Sequence, residues 1–172
     1  MKKNIFLTTL YCLLFTTISF AQQKKKLYKT GNRPNIRYIL ADDIGYGDVG
    51  PYGQKKIETP NIDALAKNGM LFTQFYAMPV CAPSRYSLMT GINSGHAYIR
   101  GNDEWEQRGD VWSFKAMEAN PALEGQLPIP DSTITIAKVL KKAGYYTGLV
   151  GKWGLGGPMS TGLPNNQGFD FF

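Results

Sequence analysis

Thr135-Ile136-Ala137-Lys138-Val139-Leu140-Lys141-Lys142-Ala143-Gly144, followed by Tyr145-Tyr146-Thr147-Gly148-Leu149-Val150-Gly151-Lys152-Trp153, reads as a helix feeding a strand. Ile136, Val139, Leu140 and Ala143 recur at helical spacing, with Lys138, Lys141 and Lys142 elsewhere on the surface and Gly144 at the stop. Tyr145 to Val150 is then a strand that delivers Lys152 beyond its carboxyl end. Upstream, Pro34 leads into Asn35 to Leu40, a strand of the buried type. Arg37 interrupts its apolar run and points either to a sheet edge or to a water-filled rim. Asp42 and Asp43 end this strand, and the Gly-rich turn Gly45 to Asp48 follows. Thr59 as N-cap and Pro60 at the first helical position open a helix with Ile62, Leu65 and Ala66 on one face and Gly69 at its end. Met70 to Ala77 is a second strand, and Pro83 or Ser84 opens a helix running to Gly91. Residues 92–130 read as an irregular insertion containing Trp105, Trp112 and Pro121, of the length that often builds a binding surface. Strands alternating with helices predict an α/β sandwich.

The ends of the chain bear on where the protein works. Lys2 and Lys3 precede an apolar run from Ile5 to Phe20, and Ser19-Phe20-Ala21 places small residues at −3 and −1 before Gln22. Residues 1–21 are therefore expected to be a secretory signal, too short to serve as a stable membrane anchor. Residues 22–33 form a polar, basic linker, and residues 34–172 are long enough for one globular domain with a core. The formal charge is +6, and without the leader lysines 17 basic residues face 13 acidic ones. These positives are scattered rather than set in a stripe with aromatics, which argues against nucleic acid. A mild positive balance suits an anionic substrate. Of the two cysteines, Cys12 leaves with the leader, so an exported chain would retain only Cys81. An unpaired cysteine in an oxidising compartment is incidental, intermolecular or chemical.

In open α/β folds, chemistry gathers beyond the carboxyl ends of strands. Asp42 and Asp43, Cys81, and Lys152 all follow expected strands. The adjacent carboxylates are either a solvated turn or hard oxygen ligands for calcium, with magnesium less favoured. Cys81 lies just before a helix N-terminus, where free N–H groups favour negative charge, and Arg85 on the first turn can aim at the same point. The alternative is an inert cysteine beside a surface arginine.

Cys81-x-Pro83-Ser84-Arg85-x-x-Leu88-x-Thr90-Gly91 resembles the signature of the formylglycine-dependent, arylsulfatase-like sulfatases. Gly144-Tyr145-x-Thr147-x-x-Val150-Gly151-Lys152-Trp153 resembles that family's second signature. Ile39 to Asp43 and Thr59 to Asp63 match its N-terminal segments, so the resemblance runs from Pro34 to Phe172. It implies an alkaline-phosphatase-like mixed sheet sandwiched by helices, and sulfuric ester hydrolysis on a sulfated carbohydrate. A separate maturation enzyme would oxidise Cys81 to formylglycine, whose hydrate supplies the nucleophilic oxygen. Asp42 and Asp43 would ligate calcium, Arg85 would steady the hydrate, and Lys152 would contact sulfate oxygens.

Two departures from the family pattern shape the expectation. The second signature commonly continues with histidine after Lys-Trp, and here Gly154 stands there. His96, the sole histidine, sits with Arg100 shortly after the nucleophile helix. It is either a satisfied loop residue or, with Arg100, a contact for substrate or leaving group. Trp105 and Trp112 either stack on sugar faces or pack the insertion. The remaining metal ligands implied by the resemblance, commonly an Asp-Asn pair, are not found before Phe172. The chain is therefore expected to be the N-terminal portion of the domain, incomplete at its C-terminus and inactive alone. Two alternatives stand beside the sulfatase reading: a phosphodiester or phosphonate monoester hydrolase of the same superfamily, and a non-catalytic remnant.

Overall fold

The computed structural model describes residues 33–102, 113–120, 123 and 125–172, and four α-helices lie among them. The chain divides into two units, Met1–Asn35 and Ile36–Phe172. Of the first unit only residues 33–35 are described, and they lie in neither helix nor strand. The expected leader, most of the linker, Trp105, Trp112 and Pro121 lie outside the described residues. No helix among the described residues is long and apolar enough to cross a membrane.

Helix α1 spans Pro60–Asn68, with Thr59 at its N-cap and Gly69 at its C-cap. Proline at the first position forfeits no helical bond there. The Thr59 hydroxyl does not cap the helix. It accepts from the Gly50 N–H at 2.8 Å and donates to Asp63 at 2.9 Å, pinning the turn before the helix to its first turn. That turn comprises two short 3-10 segments, Tyr46–Asp48 and Gly50–Tyr52. The expected apolar face of α1 is not buried, since Ile62 and Leu65 remain exposed.

Helix α2 spans Cys81–Thr90, beginning two or three residues before the expected start at Pro83 or Ser84. Pro83 falls in the first turn, where its missing N–H breaks no intrahelical bond, so the helix can begin upstream of it. Gly91 ends α2 in the left-handed region, with φ 70. Helix α3, Phe114–Ala119, interrupts the stretch expected to be irregular. Ser113 supplies the reason, because its hydroxyl accepts from the Ala116 N–H at 3.3 Å. Helix α4 spans Ile136–Lys142, and the Thr135 hydroxyl caps it through the Lys138 N–H at 3.2 Å.

The core joins α2 and α4 to the loops around them. Tyr86 of α2 and Ala137 of α4 pack with Ile99, Ile129, Trp153, Leu155 and Phe169. Ile99, Ile129 and Leu155 are essentially fully buried. Each such side chain contributes about 1.5–3 kcal/mol of transfer free energy. Trp153 meets Phe169 edge-on at 5.8 Å, and its indole N–H donates to the Gly162 carbonyl at 2.6 Å. The α4 face differs from expectation: small Ala137 is buried, whereas Ile136 and Val139 stay exposed.

The three expected strands are extended segments without a ladder among the described residues. One isolated parallel bridge joins Gly148 to Phe171, supported by the Leu149 N–H donating to the Phe171 carbonyl at 2.9 Å. Ile36, Tyr38 and Leu40 line a cleft of about 390 Å³ whose other walls include residues 145–151. Ladder hydrogen bonding needs strands about 4.7–4.9 Å apart, and these two segments flank open space instead. The segment 70–77 likewise stays unpaired, with Phe75 and Tyr76 exposed.

Candidate active site

Asp42 sits between two cations drawn from distant parts of the chain. One carboxylate oxygen accepts from Arg85 Nη2 at 3.0 Å, and the other from Lys152 Nζ at 2.9 Å. Arg85 reaches it from the first turns of α2. Its second arm donates to the Lys152 backbone carbonyl at 2.5 Å, tying α2 to the segment that carries Lys152. The three groups expected beyond separate strands, Asp42, the Cys81 helix and Lys152, thus meet at one end of the cleft, which Asp42, Arg85 and Lys152 line.

The electrostatics follow from this geometry. Hydrogen bonds from Lys152 and then Arg85 hold the Asp42 carboxyl below the usual carboxylate range. Asp42 first and Cys81 second push Lys152 up, keeping it an ammonium. One carboxylate against two cations leaves a net positive locus, suited to a bound anion. The Arg85 side chain is only 11% exposed, and its Nε–H is buried without a partner among the described residues. Gly154 passes beside it with φ 75, and a Cβ there would stand 3.5 Å from Arg85 Cδ. The place where the resemblance expects a histidine is therefore a left-handed glycine at van der Waals distance from the arginine.

Cys81 occupies the first position of α2 and is partly exposed as a free thiol. Its Sγ lies 3.5 Å from Asn102 Oδ1, which also accepts from the Ala82 N–H at 3.2 Å. Asn102 is a contact that sequence reasoning missed. An asparagine in a polar loop carries no spacing signal, and only the return of the chain to the helix start reveals it. His96 and Arg100 are exposed. The His96 N–H donates to the Asn93 carbonyl and Arg100 Nε to the Ala97 carbonyl, and neither residue joins the Asp42 network.

Asp43 follows Asp42 with φ 57, the left-handed conformation that aspartate tolerates better than most residues. The ion pairs of Arg85 and Lys152 run to Asp42 and not to Asp43. The pair is of the right donor type for calcium. Calcium takes six to eight oxygens, however, and among the described residues no group of three metal-ligating side chains converges. The described residues therefore fit calcium in kind and fall short in number.

Comparison with known proteins places the chain. The Sulfatase family model matches residues 34–172. The chain is 41% identical over 150 residues to human steryl-sulfatase, covering 82% of this chain and 23% of that protein. It is 40% identical over 126 residues to human N-acetylgalactosamine-6-sulfatase, covering 72% of this chain and 22% of that one. The crystal structure of Ps i-CgsB in complex with k-i-k-neocarrahexaose superposes with a TM-score of 0.59 at 35% identity, over 77% of this chain and 26% of that one. The chain spans about a quarter of the length of these relatives. It belongs to the sulfatase family.

Proposed function

We propose that this chain carries part of the active site of an exported sulfuric ester hydrolase acting on a sulfated carbohydrate, within an alkaline-phosphatase-like fold. The observation that carries the proposal is the meeting of Arg85, Lys152 and Asp42 beside a cysteine at a helix start, inside the sulfatase signature. The names of two similar proteins support the carbohydrate, since one is an N-acetylgalactosamine-6-sulfatase and another is bound to a neocarrahexaose. Residues 1–21 are the export signal in this reading, and the site of action is extracellular or periplasmic.

Sulfate transfer requires an oxygen nucleophile in line with the leaving group and positive charge on the sulfate oxygens. Formylglycine, made from Cys81 by a separate maturation enzyme, supplies that oxygen once hydrated. Asp42 and Asp43 would hold part of the shell of a calcium ion, which would add polarisation of the sulfate. The chain's own residues do the rest. Lys152 stays protonated through Asp42 and binds a sulfate oxygen. Arg85 locks the nucleophile helix to the Lys152 segment, so that cation and nucleophile keep one spacing. Asp42 orients both cations and limits their mutual repulsion. His96 and Arg100 are candidate contacts for substrate or leaving group in this reading.

The test compares a sulfate ester with a matched phosphodiester on the full-length protein. A higher kcat/KM on the sulfate ester is expected. Preference for the phosphodiester would move the assignment to a phosphodiester or phosphonate monoester hydrolase.

A further inference from the structure

Asn102 makes the contact to Cys81 that no part of the mechanism above uses. One carbonyl oxygen receives two donors from the start of α2, the Ala82 N–H at 3.2 Å and the Cys81 thiol at 3.5 Å. The loop that delivers it is anchored rather than free. Ala97 and Ile99 are buried in the core, and Arg100 Nε closes the turn onto the Ala97 carbonyl at 3.0 Å. Cys81 also contributes, after Asp42, to raising the pKa of Lys152. The group at position 81 thus has the neutral Asn102 acceptor within hydrogen-bond reach.

The geometry points to Asn102 as a positioning residue for the nucleophile: its Oδ1 takes the hydrogen of one hydroxyl of the hydrated aldehyde and leaves the second to Lys152. This rests on the sulfatase reading. A gem-diol has two equivalent hydroxyls, and a nucleophile that rotates freely presents the wrong oxygen part of the time. A carbonyl oxygen that accepts from only one of them removes that freedom. The amide suits the task because it accepts a hydrogen bond without placing a negative charge beside an incoming sulfate.

The experiment uses full-length protein co-expressed with a formylglycine-generating enzyme, comparing wild type, Asn102→Ala and Asn102→Asp. Turnover of an aryl sulfate is divided by the aldehyde content at position 81, read by peptide mass spectrometry. Asn102→Ala is expected to lower kcat per aldehyde roughly tenfold with KM within about twofold, as befits a lost hydrogen bond at the reacting group. Asn102→Asp keeps the acceptor and is expected to hold kcat within about threefold while raising KM for the anionic substrate. A helix cap alone predicts a lower melting temperature for Asn102→Ala with unchanged kcat per aldehyde, and that result overturns the proposal. Equal kcat losses in both variants overturn it too.

A parallel arm needs no turnover. In protein expressed without the maturation enzyme, Asn102→Ala is expected to speed iodoacetamide alkylation of Cys81 roughly threefold, by releasing the thiol hydrogen. An unchanged alkylation rate overturns the placement of Asn102. Wild-type protein that carries the aldehyde yet hydrolyses no sulfate ester, while the alkylation effect is present, overturns the sulfatase reading and leaves the contact standing.

Discussion

Replacing Arg85 with lysine separates the two jobs its guanidinium performs. Arginine presents a rigid fork, and here one arm holds Asp42 at 3.0 Å while the other holds the Lys152 carbonyl at 2.5 Å. Lysine can keep an ion pair with Asp42, but a single ammonium on a flexible stem does not reproduce both bonds in one geometry. The bond to the Lys152 carbonyl is charge-assisted and comes from a side chain only 11% exposed. Such a bond contributes about 1.5–3 kcal/mol. At about 1.4 kcal/mol per factor of ten, its loss corresponds to roughly 10- to 150-fold in kcat/KM if the spacing between helix α2 and Lys152 matters to the transition state. The assay is aryl sulfate hydrolysis by the full-length Arg85→Lys protein, normalised to aldehyde at position 81, with a melting curve alongside. Activity within threefold of wild type would refute the claim that Arg85 sets this spacing.

Three further outcomes follow from the packing around the site. Asp170 is held below the usual carboxylate range by Lys141 at 2.8 Å and by the Thr147 N–H at 3.0 Å. A depressed carboxylate adds stability above its unfolded value of about 3.9 and loses it as pH falls through the folded value. Asp170→Asn is therefore expected to melt below wild type at pH 7, with the gap closing under about pH 4; a constant gap would contradict this. Trp153→Phe strips the Gly162 carbonyl of its donor and leaves unfilled volume beside Phe169, which is expected to cost about 2–4 kcal/mol in urea unfolding. A loss under about 0.5 kcal/mol would show that the indole bond does not hold this loop. Gly168→Ala places a Cβ 2.5 Å from the Lys138 nitrogen at φ 106, so the variant is expected to lose at least about 2 kcal/mol. Wild-type stability there would contradict the close approach.

Helix starts and stops were legible because they are local. Pro60, Thr135 and the glycines at 69, 91 and 144 act on backbone groups within a few residues of themselves. The start of α2 was misplaced because a proline in the first turn marks a helix start without fixing which residue begins it. Strand pairing was not legible, since a run such as Ile36 to Leu40 shows extended, apolar character and carries no record of its partner. The same limit applied to burial on α4. The periodic stripe identified the helix, while the residue the core buries is Ala137, whose backbone the chain approaches closely at Gly168. Within the site, the sequence singled out Asp42, Arg85 and Lys152, whose residue types carry charge and stand in recognisable motifs. Their mutual bonds are long-range facts that only the fold supplies, and Asn102 had no motif to announce it.

The central claim is that the residue at position 81 becomes the nucleophile of a sulfate ester hydrolase. Sulfate release from an aryl sulfate, measured against aldehyde content at position 81 across preparations matured to different extents, tests it most directly. Release rising in proportion to the aldehyde fraction, and lost in Cys81→Ala, is the predicted result. Release that persists in Cys81→Ala, or that fails to follow the aldehyde fraction, would contradict it.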